Sequence, residues 1–367
     1  GRLHPLPDGF QLLAPTAIMP FVTSSLFSLP GKARMALDLV LPRGHADDES
    51  LGAFVRRRLG AEALERVAQP LVAGVYTADP DDLSLAATMP RFLEVEKKHR
   101  SIILGLRRAL ARAPQPGTSG ARWSLFVTFA GGMEEMISTL AGRLPPGAAV
   151  LKQRVSALQR DGGRWRLRTA EGGTFDADRV ILASEAHATA RLVRYLDPGL
   201  AYLLGEIPYS SAATVSLGYR RADIPHPLDG FGFVVPRSEG KALLAGTFSS
   251  VKYPYRAPEG HVLIRCFLGG MLNAAVLAED DAALVARARA ELGDALGIRA
   301  EPLVRRLSRW PASMPQYRVG HVARVDAIEH AVAALPGLAL AGAAYRGVGI
   351  ADCVRSGEAA AEKLLTG

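Results

Sequence analysis

At 367 residues, the chain exceeds the size at which one hydrophobic core stops growing, so more than one domain is expected. Apolar residues make up 49% and charged residues 22%, which excludes a disordered or fibrous polypeptide. A net charge of +8 and a pI near 9.7 fit an anionic ligand, an anionic membrane surface or a merely arginine-rich composition.

The first part, to about Ala113, reads as helical. In DDESLGAFVRRRLG, Asp47 or Asp48 can cap, Leu51, Phe54, Val55 and Leu59 recur at helical spacing, and Gly60 is placed to stop the helix. EALERVAQPLVAGVY follows and is expected to break at Pro70. RFLEVEKKHRSIILGLRRALARA then reads as one long amphipathic helix. It sets Ile102, Ile103, Leu106 and Leu110 on one face, near Lys97, Lys98, Arg100, Arg107, Arg108 and Arg112. That face fits a core with a solvated basic side, or a helix lying on anionic lipid. The Pro/Gly/Ser-rich stretch Ala113 to Trp123 reads as a connector.

FAGGMEEMISTLAGRL predicts a glycine turn entering a helix. AAVLKQRVSALQRDGGRWRLRTAEGGTFDADRVILA predicts strands with tight turns at Asp161-Gly162-Gly163 and Glu171-Gly172-Gly173. From about Ile207 to Arg306 the pattern changes: AATVSLGYR, FGFVVP, KALLAGTFSS and HVLIRCFLGG read as strands of a mixed or antiparallel sheet, with DAALVARARAELGDALG as one helix among them. GLALAGAAYRGVGIADC then returns to strand, glycine turn and helix.

Cys266 and Cys353 form no CxxC pair and read as small buried hydrophobes in a reducing compartment. The arginines are scattered, without an RNP-like motif, zinc-finger spacing or a long basic tail, so nucleic acid is not expected as a partner. No run approaches the ~18 consecutive apolar residues of a spanning helix. The chain begins Gly1-Arg2 without Met, so a preceding segment is expected.

The stretch AGAAYRGVGIADCVRSG, Ala341 to Gly357, sets Gly342, Gly347, Gly349 and Gly357 ahead of the Ala-rich helix EAAAEKLL. Glycine turns that open helices bring backbone N–H groups and the positive helix end close to a ligand. The full G-x-G-x-x-G pattern is missed here, because Gly347-Val348-Gly349-Ile350-Ala351 ends on Asp352. Alone, this stretch fits a structural turn as well as a cofactor site.

Taken with its surroundings, the stretch resembles the C-terminal flavin-binding signature of amine-oxidase-like flavoproteins, and among them the oxygen-dependent protoporphyrinogen oxidases. GRLHPLP, GVYTADPDDLSLAATMP, HRSIILG, FAGGMEEM, DRVILAS, DGFGFVVP and RWPASMPQYRVGH resemble further elements of the same proteins, in the same order. The resemblance implies an α/β fold. An FAD/NAD(P)-binding Rossmann-like domain, incomplete in this chain, is interleaved with a mixed β-sheet substrate domain and a helical, membrane-binding domain. The implied segments are 1–9 (substrate-domain hairpin), 10–115 (helical), 116–202 (FAD-binding), 203–306 (substrate-binding) and 307–367 (C-terminal FAD-binding). The strand–GxGxxG–helix unit of these proteins, ~30 residues long, is not in this sequence and is expected upstream of Gly1.

The resemblance also implies a function: FAD-dependent removal of six hydrogens from protoporphyrinogen IX, with O2 as acceptor, in haem biosynthesis. Coproporphyrinogen III oxidation, another flavin oxidase activity, or a flavin-less porphyrin-binding or membrane-docking module are the alternatives. The hard chemistry is the cofactor's, so no catalytic side chain and no metal ligand is named. The implied FAD contacts are Val155, Trp310, Val348, Gly349 and Ile350. The implied substrate pocket is Gly74, Val75, Phe231, Gly232, Val234 and Phe267; aromatic and aliphatic walls suit a flat macrocycle. The expected partners are a porphyrinogen, O2 and peripheral membrane lipid met through Lys97, Lys98, Arg107 and Arg108, with a homodimer as a candidate assembly. The expected location is the cytoplasm, peripherally associated with the cell membrane.

Overall fold

The computed structural model describes residues 2–11, 13–112 and 127–366, and the chain forms two compact units. Unit 1 comprises Gly1–Ala113 and Pro208–His321; unit 2 comprises Pro114–Ile207 and Val322–Gly367. The connector expected at Ala113 to Trp123 lies outside the described residues. In chain order, the elements that position the site are helices α1 (Leu51–Arg58), α2 (Gln69–Tyr76), α3 (Pro90–His99), α4 (Ile102–Arg112) and α5 (Glu134–Gly142). Strands β1 (Val155–Asp161), β2 (Arg164–Thr169), β3 (Thr174–Ala177) and β4 (Val180–Leu182) follow, then α6 (Ala186–Val193). Next come β5 (Tyr209–Arg220), β6 (Gly232–Val234), β7 (Leu243–Phe248) and β8 (His261–Gly269). The chain ends through α7 (Asp281–Leu296), β9 (Val304–Pro315), β10 (Leu338–Leu340) and α8 (Ile350–Thr366).

In unit 1 the helical segments differ from the sequence reading at three points. Ser50, rather than Asp47 or Asp48, caps α1, its Oγ accepting from Ala53 N at 3.1 Å. Asp48 instead takes Ser84 Oγ at 2.8 Å and Gly320 N at 3.0 Å, a tertiary use that local pattern does not reveal. Pro70 breaks nothing: it sits in the first turn of α2, where its missing N–H is not needed, after a π-turn at Leu64–Ala68. The long amphipathic helix is two helices. Arg100 adopts φ +63, α3 stops there, and Ser101 caps α4 by accepting from Leu104 N at 3.1 Å. Ile102, Ile103 and Leu106 are buried as expected, whereas Leu110 is exposed.

A buried ionic cluster ties these helices together. Arg58 and Asp38 have fully buried side chains, with Arg58 Nε donating to Asp38 Oδ1 at 2.7 Å. Asp38 Oδ2 also accepts from Ser101 Oγ at 2.6 Å and Ile103 N at 3.0 Å. Beside them, Glu96 takes Arg57 Nη1 at 2.6 Å and Gly44 N at 2.9 Å. Burial opposes its ionisation, but Arg57 and the Gly44 amide outweigh burial and hold its carboxyl below the ordinary value of 4.5.

The rest of unit 1 is a five-stranded antiparallel sheet of order β9-β5-β8-β7-β6. Side-chain alternation gives it two faces. On one, Val215, Leu217, Ile264 and Cys266 pack with Leu284, Ala288 and Leu292 of α7 to form the core. Cys266 is wholly buried, which pushes its thiol up to about 12; Cys353 departs from the sequence reading by being only half-buried. The other face carries the site described below.

Unit 2 holds a three-stranded antiparallel sheet, β1-β2-β3, and a parallel pair, β4–β10. The tight turns expected at Gly162-Gly163 and Gly172-Gly173 join the strands of the first sheet. Trp165 anchors it, fully buried, its Nε1 donating to Pro336 O at 3.2 Å. β10 passes through the glycine turn into α8. Among the described residues, no helix is long and apolar enough to cross a membrane.

Candidate functional site

Antiparallel register aligns one row of side chains across all five strands of the unit 1 sheet. Val234 pairs Ala245, Ala245 pairs Phe267, Phe267 pairs Thr214, and Thr214 pairs Ser308. Cross-strand partners share a face, so this row lies opposite the core side. Two residues further along β9, Trp310 stands on the same face, paired with Ala212, and its Nε1 reaches Thr214 Oγ1 at 3.4 Å. Trp310 is 51% exposed, which leaves an indole plane open rather than packed in a core. A register shift follows it, with Ala312 at φ +41 and its N donating to Ser211 Oγ at 2.9 Å.

Helix α2 closes one side of this face. A Cβ on Gly74 would stand 3.6 Å from Val234 Cγ1 and 3.7 Å from the Ala245 Cβ, so the helix backbone rests directly on β6 and β7. Val75 and Phe231 are exposed at 59% and 63%, large apolar groups left facing outward. Gly232 sits at φ +147, and a Cβ there would fall 2.1 Å from Gly246 O. Only glycine allows β6 to lie this close to β7. Unit 1 thus brings Gly232, Val234, Phe267 and Trp310 together on one sheet face, with Gly74 and Val75 on the adjoining helix and Phe231 one residue before β6.

Sequence reasoning missed what holds α2 there. Gln316, nearly buried, donates from Nε2 to Tyr76 O at the helix end and to Ser210 Oγ, each at 3.1 Å. Thr77, left-handed at φ +51, contacts the same Ser210 hydroxyl and accepts Met271 N on its carbonyl at 2.8 Å. A buried Gln after an apolar-aromatic run was the available signal, and its partners lie more than a hundred residues away in sequence.

In unit 2 the glycine turn is built as its composition suggests. Gly342 N donates to Ser356 Oγ at 3.0 Å, which folds the start of the turn onto α8. Gly347 has φ +153, and a Cβ there would lie 2.5 Å from Asp352 Cγ. The Asp352 carboxylate therefore lies against the turn, accepting from Gly349 N at 3.3 Å. Arg346 is fixed by Glu329 and Asp326, each at 2.7 Å. Gly349 and Ile350 are exposed and Val348 is half-buried, so this backbone is presented outward at the start of a long helix. Val155 begins β1, half-buried opposite Thr169. Val155, Val348, Gly349 and Ile350 belong to unit 2, and Trp310 to unit 1.

The chemistry on offer is that of surfaces. Among the described residues no group of His, Cys, Asp or Glu is arranged to hold a metal ion. What is built is an open aromatic and aliphatic sheet face and an outward-facing glycine backbone at a helix start. The missing Cβ atoms of Gly347 and Gly349 let Asp352 pack against the turn, and the backbone at Gly349 and Ile350 is left facing outward, where a planar ring system can meet it.

Comparison with known proteins agrees. The chain is 36% identical over 366 residues to coproporphyrinogen III oxidase of Bacillus subtilis, a match covering 99% of this chain and 77% of that protein. It is 33% identical over 382 residues to protoporphyrinogen oxidase of Bos taurus, covering 100% of this chain and 77% of that protein. A crystal structure of a protoporphyrinogen-oxidase-like protein from Exiguobacterium sp. 255-15 superposes with a TM-score of 0.86 at 31% identity, covering all of this chain and 79% of that one. Residues 1–365 match the family described as flavin containing amine oxidoreductase. With its open sheet face, its glycine turn and this match along nearly its whole length, the chain belongs to the flavin containing amine oxidoreductases, and its cofactor is FAD.

Proposed function

We propose that this protein oxidises a porphyrinogen to the porphyrin with O2 as acceptor, and that coproporphyrinogen III is taken ahead of the protoporphyrinogen IX expected from sequence. The observation that carries the reading is the in-register row Val234, Ala245, Phe267 and Thr214, with Trp310 beside it. Such a face suits a broad, flat, apolar ligand. Relatives named coproporphyrinogen III oxidase, at 36% and 34% identity, favour the tetracarboxylate substrate over the dicarboxylate.

The residues divide the work. Val348, Gly349 and Ile350 would meet the flavin ring through backbone and Val155 would contact the adenosine end; Trp310, in unit 1, is the remaining proposed FAD contact. Bound FAD would supply hydride acceptance and pass the electron pair to O2, so that three two-electron oxidations, each with loss of a proton, would remove six hydrogens and give three hydrogen peroxides. Gly74, Val75, Phe231, Gly232, Val234 and Phe267 hold the macrocycle against the sheet and keep water from its apolar edge. No side chain is asked to ionise, which accords with a site built from apolar and backbone groups.

The test is aerobic incubation of the FAD-loaded protein with each porphyrinogen. Porphyrin fluorescence is expected to rise with three peroxides per macrocycle, faster with coproporphyrinogen III. No fluorescence above autoxidation with either substrate, from protein whose flavin is reduced by an amine, would end this reading.

We also propose anionic lipid as a partner. A cleft of about 620 Å3 in unit 1 is lined by Arg43, His45, Lys97, Lys98, His99 and Arg100, and by the apolar Val40, itself 65% exposed. Cations beside an exposed aliphatic group suit a negatively charged membrane surface. Co-sedimentation with phosphatidylglycerol vesicles is expected, fading as salt rises; equal retention by neutral vesicles would count against it.

A further inference from the structure

One pleat repeat along from Phe267, the sheet carries a second aligned row: Gly232, Thr247, Arg265, Ser216 and Arg306. Arg265 on β8 and Arg306 on β9 flank Ser216 of β5, and both lie on the face that bears Phe267 and Trp310. Sheet geometry puts them about 7 Å along the strands from the Phe267 row, with their Cα atoms about 10 Å apart. Both are exposed. Among the described residues neither has a carboxylate partner, and Arg265 has a single contact, Nε to Ser216 Oγ at 3.4 Å.

One arginine of the opposite face shows the alternative. Arg309 is tied down, donating to Asp281 Oδ1 at 2.8 Å, Leu277 O at 2.7 Å and Glu279 O at 2.6 Å. Arg309 is used for structure on the core side of the sheet; on the site side two guanidiniums are left open beside an aromatic and aliphatic plate.

We propose that Arg265 and Arg306 bind the carboxylates of the macrocycle, fixing which of its edges lies on the sheet and favouring the substrate with more carboxylates. This rests on the porphyrinogen reading above. The ring system lies over Phe267 and Thr214, beside helix α2, which covers Val234 and Ala245. Carboxylates projecting from one edge then reach across one pleat repeat to the two guanidinium forks, which match a carboxylate with two parallel N–H donors. A dicarboxylate has one edge that satisfies both arginines, whereas a tetracarboxylate has more than one, so it docks productively in more orientations.

The test uses Arg265→Gln, Arg306→Gln and the double variant, each loaded with FAD. Fluorescence titration with coproporphyrin III is expected to show binding weakened at least tenfold in each single variant, and about 100-fold or more in the double. The tetramethyl ester of the same porphyrin, which has no charge to offer, is expected to bind all four proteins equally. The KM for coproporphyrinogen III is expected to rise with the loss of affinity while kcat stays within about threefold. An Arg306→Lys variant should recover part of the binding as a point charge without the fork.

Unchanged affinity for the free acid in the double variant would overturn the assignment, as would equal losses for acid and ester, which would mark a change of shape rather than of charge. A wild-type protein that neither binds coproporphyrin nor oxidises any porphyrinogen would instead remove the functional reading itself.

Discussion

Replacing Arg58 with Met is expected to lower the stability of unit 1 by about 3–5 kcal/mol, because it leaves the Asp38 carboxylate buried without its counter-charge. Asp38 would keep Ser101 Oγ and Ile103 N, but lose the Arg58 Nε bond at 2.7 Å. The carbonyl of Pro42 would lose Nη1 at 2.8 Å. These bonds fasten the end of α1 to the segment 38–42 ahead of it and, through Asp38, to the start of α4, so the helical part of the unit loosens as a whole. Chemical denaturation of wild type, Arg58→Met and Arg58→Met/Asp38→Leu checks this. The single variant should be the least stable, with the double recovering part of the loss; a double variant no better than the single would refute the account. The neighbouring Glu96 adds an acid limit. Its carboxyl is held below 4.5 in the folded state, so it stabilises the fold fully above that pH. The contribution fades as pH falls through the lower folded value, and Arg57→Gln should abolish this part of the acid sensitivity.

Gly347→Ala is expected to weaken FAD binding by about 5- to 150-fold, the equivalent of 1–3 kcal/mol of strain in the turn. The new methyl would lie 2.5 Å from Asp352 Cγ at a φ of +153. The turn must move, and with it the Val348–Ile350 backbone proposed to meet the flavin ring. The measurement is flavin retained after gel filtration, with the FAD dissociation constant from fluorescence. Gly357→Ala, inside α8 with open space at its Cβ, serves as the control and should keep its flavin. Full retention of FAD by Gly347→Ala would detach this turn from the cofactor.

Much of the fold could be read from local pattern. The alternation in AATVSLGYR and HVLIRCFLGG foretold β5 and β8, and the strand–glycine–helix order of GLALAGAAYRGVGIADC foretold β10, the turn and α8. Period-2 burial and φ > 0 glycine are properties of a few neighbouring residues, so they survive in a single sequence. The boundary in the amphipathic helix did not. Nothing local marks Arg100 as left-handed; the chain turns there because Asp38, Ser101 and Ile103 meet in the core.

Family resemblance supplied the candidate site residues by name, but not which of them share a surface. That Val234, Phe267 and Trp310 share a sheet face follows from the register of strands joined by loops and a helix. The Gln316 bonds that seat α2 and the two open arginines beside Phe267 were invisible for the same reason.

By itself, then, the sequence determined the kind of elements such as β5, β8 and α8 and the flavoprotein signature of the tail, since both depend on side chains within a few positions of one another. The tertiary structure alone decided which distant residues stand side by side. A one-residue slip in any strand would send its side chains to the opposite face, and that register is set by how a whole sheet packs on its core, not by any stretch of it.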